Sequence, residues 1–255
     1  MLFRTLYGPE LVAIYSYLVQ AHTPIPLQTL YEAFLPSNTS TKRLSPQNID
    51  DALAFLSSAS LITQKGHAYQ VSDNIHLPPR LLILRQLNRL ARHEIEVKNQ
   101  LDPLYIQILD EIFIKQDRLF VEKLHIEANK LRQVKDVGGL NQEKIQAWKR
   151  VMTFLGVGKR VGSGFLCVYT PDLLQAILSE WDERSASLHL FLENHLNMFL
   201  PFKTSSQNLA QPVSETFLHL AERGVVALES RPDSPNRAYF GEKKFQHITY
   251  LGGSV

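Results

Sequence analysis

Three stretches of this chain repeat one spacing of apolar residues, and that repeat limits the fold more than any other feature. From Ser45, "SPQNIDDALAFLSSASLITQKGHAYQVS" sets Ile49, Leu53, Leu56 and Leu61 at intervals of four, three and five. From Val213, "VSETFLHLAERGVVALESRPDSPNRAYF" repeats it with Val213, Phe217, Leu220 and Val225. Intervals of four and three place side chains on one face of a helix, and the aliphatic runs that follow, broken by a Gly or polar turn, predict two strands. Between these, "IQAWKRVMTFLGVGKRVGSGFLCVY" keeps Ile145, Met152 and Val157 in register. There Lys149 takes the expected apolar position, with Trp148 beside it. Each stretch therefore predicts a helix followed by a β-hairpin.

Upstream residues supply more helices. "PELVAIYSYLVQA" and "LQTLYEAFL", separated by "HTPIP", precede the first stretch, which opens on Ser45 as a cap and Pro46 at the first helical position. Asp102 and Pro103 open "PLYIQILDEIFIK", and "VEKLHIEANKL" leads to a helix over 141–154. In the third unit "SLHLFLENHLNMFL" predicts a first helix, and "PFKTSSQNLA" leaves the second short or missing. Pro79 to Lys98 and Pro171 to Trp181, the latter capped by Thr170, read as connector helices. The fold class expected is mostly α with small β-hairpin wings near 60–72, 156–169 and 224–251. The expected units are 1–78, 79–183 (a connector helix plus a central basic unit) and 184–255.

This order of elements resembles tandem winged-helix proteins, over residues 5–72, 101–170 and 186–251. The resemblance is architectural and carries over no functional residues. It implies winged helix-turn-helix units joined by connector helices, in a superfamily used for DNA binding and also for protein docking.

The 255 residues are 44% hydrophobic and 20% charged, enough to bury a sizeable core. The lone Cys167 excludes an intramolecular disulfide, and no stretch reaches eighteen consecutive apolar residues. "LVAIYSYLV" near the start could pass for a secretory leader, but Glu10 and the sparse positive charge argue for a helix from Pro9, so a cytoplasmic location is expected. Net charge is only +2, yet from Arg80 to Arg160 sixteen Lys/Arg face ten Asp/Glu, while the remainder carries eleven against fifteen. A basic middle between acidic ends is the footprint of one segment meeting a polyanion.

"GVGKRVGSG", residues 156–164, looks like a phosphate-binding loop but fails the test. Arg160 stands where a P-loop needs a hydroxyl, and Val161 where a dinucleotide fingerprint needs its third glycine. It reads as a turn between strands, with no cofactor. Catalysis finds no support either: Cys167 alternates with Phe165 and Tyr169 in a strand, the histidines form no HExxH, and His189 and His195 lie six apart. The carboxylate pairs Asp50–Asp51 and Asp110–Glu111 read as solvated helix faces, and no metal site is expected.

The three candidate recognition helices differ in charge. The first carries Asp50 and Asp51 and the third Glu215 and Glu222, whereas the second carries Lys144, Lys149 and Arg150 with Asn141, Gln142 and Gln146, types suited to base edges. Its wing adds Lys159 and Arg160. Arg85, Arg89 and Arg92, at i, i+4 and i+7, form a guanidinium stripe on the first connector helix. The expectation is a non-enzymatic protein gripping duplex DNA through the central unit, with Lys243 and Lys244 contributing little. The alternative is an adaptor whose acidic outer units dock partner proteins.

Overall fold

The computed structural model describes residues 2–35, 45–72, 76–231, 240 and 245–252. Several helices begin at a proline in the first turn or at a capping side chain. The helices of the described residues open with α1 (Gly8–Ala21), α2 (Leu27–Phe34), α3 (Pro46–Ser58), α4 (Pro79–Ala91) and α5 (Leu104–Leu109). They continue with α6 (Leu124–Ala128), α7 (Arg132–Asp136), α8 (Gln142–Leu155), α9 (Pro171–Ser179), α10 (Leu188–Leu190) and α11 (Gln211–Glu222). The Ser45 N–H donates to Asn48 Oδ1 at 3.0 Å ahead of α3, and Thr170 Oγ1 accepts from the Leu173 N–H at 3.4 Å at the start of α9. α5 runs on into a π-helical turn at Asp110–Ile114, and α10 into another at Phe191–His195 followed by a 3₁₀ turn at Leu196–Met198.

Among the described residues nine short strands form three antiparallel sheets, each of three strands. They are β1 (Ile25–Pro26), β2 (Ile62–Lys65), β3 (Ala68–Val71), β4 (Phe120–Val121), β5 (Gly158–Val161) and β6 (Gly164–Cys167). The last three are β7 (Ser185–Ser187), β8 (Val226–Glu229) and β9 (His247–Tyr250). The sheet orders are β1-β3-β2, β4-β6-β5 and β7-β9-β8, so in each sheet the strand latest in sequence is central. The chain is thus mostly helical with three small sheets.

Each expected hairpin forms, and each gains a third strand that the sequence did not announce. Strands of two or three residues, as in "IP", "FV" and "SAS", are too short to show alternation. The polar turn of the third hairpin, over 231–237, lies largely outside the described residues.

Three helix expectations change. The first connector helix stops at Ala91 instead of Lys98, because its buried face ends at Leu90 and His93 turns to φ 58°. "VEKLHIEANKL" shrinks to α6, its first residue joining β4, and α7 follows beyond it; at the end of α6 the Asn129 side chain donates to the His125 carbonyl at 2.7 Å and the Leu140 carbonyl at 2.8 Å. Asn129 Oδ1 also accepts from the Leu140 N–H at 2.9 Å, fixing the turn that leads into α8. The second connector is no spacer: α9 precedes β7 as α1 precedes β1, and packs on α11. "SLHLFLENHLNMFL" then follows the short strand, in the place α2 takes after β1.

The apolar interior is continuous, from Leu2 and Leu6 through Leu81–Leu84 and Trp148 to Phe217 and Ile248. α4 sits within it, burying Leu81, Leu82, Ile83, Leu84, Leu87 and Leu90 against α1, α5, α8 and the 3₁₀ turn. The approach of α1 to α8 is close enough that a Cβ on Gly8 would fall 1.8 Å from Phe154 Cγ. Gly8→Ala should therefore cost about 1–3 kcal/mol through overpacking. Gly66→Asn, in open space at φ 61°, should cost under about 1 kcal/mol. Urea midpoints of the two variants check the contrast, and equal midpoints would refute the tight contact.

Candidate nucleic-acid interface

The four glycines of residues 156–164 have separate local causes, none of them a phosphate. Gly156 ends α8 at φ 82° with its N–H on the Thr153 carbonyl, 3.1 Å away. Gly162 turns the hairpin at φ 56°. Strand β5 pairs with β6 in the register Gly158–Cys167, Lys159–Leu166, Arg160–Phe165 and Val161–Gly164. Phe165 and Cys167 are fully buried, so the inner face of the sheet carries Arg160 and the outer face carries Lys159 and Val161. Cys167 Sγ lies 3.7 Å from the Val157 carbonyl, and burial pushes its thiol well above the usual range.

α8 is anchored by aromatic packing. The Trp148 Nε1–H donates to the Tyr105 carbonyl at 2.7 Å, and the Trp148 and Phe165 ring centroids stand 5.0 Å apart. Phe113 completes the cluster at 5.8 Å from Phe165. Burial of this face turns Glu143, Gln146, Arg150 and Thr153 outward.

Lys149 is not on that outer face. It is 2% exposed, and its ammonium donates to the Ser163 carbonyl at 2.5 Å, bridging the helix to the hairpin turn. This accounts for a lysine at an apolar-spaced position: the stem packs in the core and the head reaches the turn. Burial, reinforced by the charge of Arg160, holds its pKa below the ordinary lysine value. Asn141 is likewise committed, its Oδ1 capping α8 by accepting from the Lys144 N–H at 2.9 Å.

Lys144 and Arg150 are half-buried at the surface, and Lys159 and Arg160 are exposed. Among the described residues none of the four has a carboxylate within 4 Å. Arg150 packs over the ring of Tyr7, 5.8 Å from its centroid, bringing the first unit beside α8. Gln142 is exposed, and Gln146 half-buried.

The arginine stripe of α4 is used inside the molecule. Arg92 donates to the Asn197 carbonyl at 2.7 Å and to its side-chain oxygen at 2.5 Å. Arg89 donates to Gln86 Oε1 at 3.2 Å and stands 3.9 Å from Glu94. Arg85 lines a hollow of about 330 Å³ with Glu180, Asp182 and Glu183. The stripe and α8 therefore do not form one free basic surface.

Arg92 also borders a polar cleft of about 550 Å³ between α4, α5 and residues 193–207, with both π-helical turns on its walls. Its charges are matched internally. Lys115 lies 3.1 Å from Asp110 and 2.6 Å from Glu111, and Lys203 contacts Glu193. Burial raises the Asp110 carboxyl above its usual value, opposed by Lys115. The cleft is a polar seam across the core. His195 is structural too: its Nε2–H donates to the Ile177 carbonyl at 2.7 Å, and burial lowers its pKa.

Two surface residues beside this interface went unmarked in the sequence, Tyr7 at 53% exposure and Phe120 at 46%. Phe120 falls between the two helices expected there and Val121 reads as the start of the second, and only the aromatic and β-branched composition of "FV" hints at a strand. No three metal-binding side chains gather among the described residues, and no described helix is long and apolar enough to cross a membrane. Comparison with known proteins finds no matching family model, no similar curated protein and no similar solved structure.

The Lys149 arrangement sets a pH dependence. Its pKa is depressed in the folded state, so between that value and the unfolded value of about 10.5 the unfolded chain binds the extra proton. Stability of the unaltered protein should consequently rise with pH in that window, relative to Lys149→Met. Urea midpoints at pH 7.5 and pH 10 read the difference between the two proteins, which should move in favour of the unaltered protein at the higher pH. An unchanged difference would mean that the ammonium is solvated.

Proposed function

We propose that the chain is a non-enzymatic protein of tandem winged-helix architecture that contacts duplex DNA through its central unit. The thrice-repeated order of helix, short strand, helices and hairpin supports the architecture, with α3, α8 and α11 as the last helices and the β2–β3, β5–β6 and β8–β9 hairpins as wings. The observation that carries the DNA reading is electrostatic. Among the described residues Lys144 and Arg150 on α8 and Lys159 and Arg160 on the hairpin that follows have no carboxylate within 4 Å, whereas α3 with its hairpin carries Lys65 as its one lysine or arginine. Uncompensated cations attract a polyanion, and phosphate contacts supply most of non-specific binding.

Within this reading the residues divide by role. Lys159 and Arg160 on the wing, with Lys144 and Arg150 on α8, neutralise phosphates, while the exposed Gln142 is the side chain free to meet a base edge and Gln146 keeps its Oε1 buried. Lys149 braces the wing against the helix, Asn141 holds the helix start, and Arg89 and Arg92 are engaged within the chain.

Charge reversal of Lys144, Arg150, Lys159 and Arg160 to Glu should abolish duplex binding, expected at about 10⁻⁴–10⁻⁶ M at physiological salt, and each lost contact should reduce the salt slope by about 0.9. Reversal of the exposed Lys65 and Arg223 on the outer units should leave most of it. These replace Lys243 and Lys244 as the comparison, since both lie outside the described residues. Fluorescence anisotropy across a salt series, with circular dichroism as the folding check, reads both variants. Salt-insensitive or undetectable binding by the unaltered chain would transfer the assignment to the adaptor reading.

A further inference from the structure

Phe120 is an exposed aromatic in a sheet whose opposite face is core. The pairing Phe120–Leu166 and Lys159–Leu166 puts Phe120, Leu166 and Lys159 in one row across the outer face of β4-β6-β5. The ring extends from that row over Gly164, where an added Cβ would fall 2.5 Å from Phe120 Cζ. Val161 stands opposite Gly164 on the same face and is 43% exposed. The missing side chain at Gly164 lets the tip of the ring come down on the backbone, while nearly half of Phe120 stays open to solvent.

Lys159 borders this platform and Arg160 sits at the adjoining tip, neither with a carboxylate within 4 Å among the described residues. Glu127, on the neighbouring α6, is shared by Lys130 at 2.6 Å and Arg118 at 3.7 Å. Glu122 follows β4 as an exposed carboxylate. Three apolar side chains, Phe120, Val161 and the half-buried Leu166, make a patch far below the roughly 800 Å² per partner of a standard protein interface. A single nucleobase needs much less: one flat apolar face with cations beside it for the phosphates.

We infer that the outer face of the central wing stacks an unpaired nucleobase on Phe120, which makes the preferred substrate DNA with a single-stranded tail or flap beside a duplex. This rests on the reading of the central unit as a duplex-binding module. α8 and Arg160 hold the paired arm, while Phe120, Val161 and Lys159 receive the base that leaves it. The inner and outer faces of one sheet thereby divide the two kinds of contact.

The test compares a fluorescein-labelled blunt duplex with the same duplex carrying a single-stranded tail, in anisotropy titrations with the full chain. Phe120→Leu keeps apolar cover over Gly164 but offers no aromatic face, and Phe120→Trp keeps one. The unaltered protein and Phe120→Trp should bind the tailed DNA more tightly than the blunt duplex. Phe120→Leu should lose that preference, about tenfold or more, at unchanged affinity for the blunt duplex. Equal affinities of the unaltered protein for the two DNAs, an unchanged preference in Phe120→Leu, or an equal loss on both DNAs would each overturn the inference alone. Binding of neither DNA by the unaltered protein would overturn the duplex-binding reading as well.

Discussion

The burial of α4 on every side is the constraint from which the remaining arrangement follows. A helix whose residues 81–84 are all buried has no solvent face along that length, so other elements must surround it. α1, α5, α8 and the 3₁₀ turn at Leu196–Met198 do so, joining elements from all three repeats into one apolar interior. Its polar residues complete the enclosure: Asn88 donates to the Asn197 carbonyl at 2.7 Å, beside the Arg92 contacts to the same residue. A buried amide with a satisfied partner adds specificity of position to what apolar packing alone leaves adaptable.

The central repeat shows how that packing shapes a surface. Trp148, Phe113 and Phe165 fix the inner faces of α8 and β6, which turns Arg150 outward and sends Lys149 along the junction to the hairpin turn. Holding a buried ammonium is unfavourable, and the depressed Lys149 pKa is the sign of it. The compensation is a fixed hairpin turn, since the Ser163 carbonyl at the tip of β5–β6 is held to α8 by the Lys149 ammonium. Electrostatics and rigidity are coupled at one side chain, and the surrounding cations inherit a defined geometry.

Much of the secondary structure was legible because its signals are local. Pro46 with Ser45, Thr170 ahead of Pro171 and the 3.6-residue periodicity each act within one helical turn, and the corresponding helices start where these residues stand. The short strands β1, β4 and β7 were not legible, because a two- or three-residue strand is defined by a partner far away in sequence. The role of α9 was hidden for a related reason. Its sequence predicts an amphipathic helix equally well as a spacer or as the first helix of a unit, and only its packing on α11 separates the two.

The same division runs through the candidate interface. By itself the sequence determined that the helix–hairpin pattern recurs three times, that positive charge concentrates in the middle repeat, and that a hairpin follows the helix within 156–169, since periodicity, charge count and loop order are properties of the chain. Only the tertiary structure decided which of those charges face water. Lys149 is spent on Ser163, Asn141 on the start of α8 and Arg92 on Asn197, while Lys159 and Arg160 part to opposite faces of one sheet. Side chains of one type, indistinguishable as letters, differ by the partners that folding brings within about 3 Å, because hydrogen bonds and desolvation act only at that range.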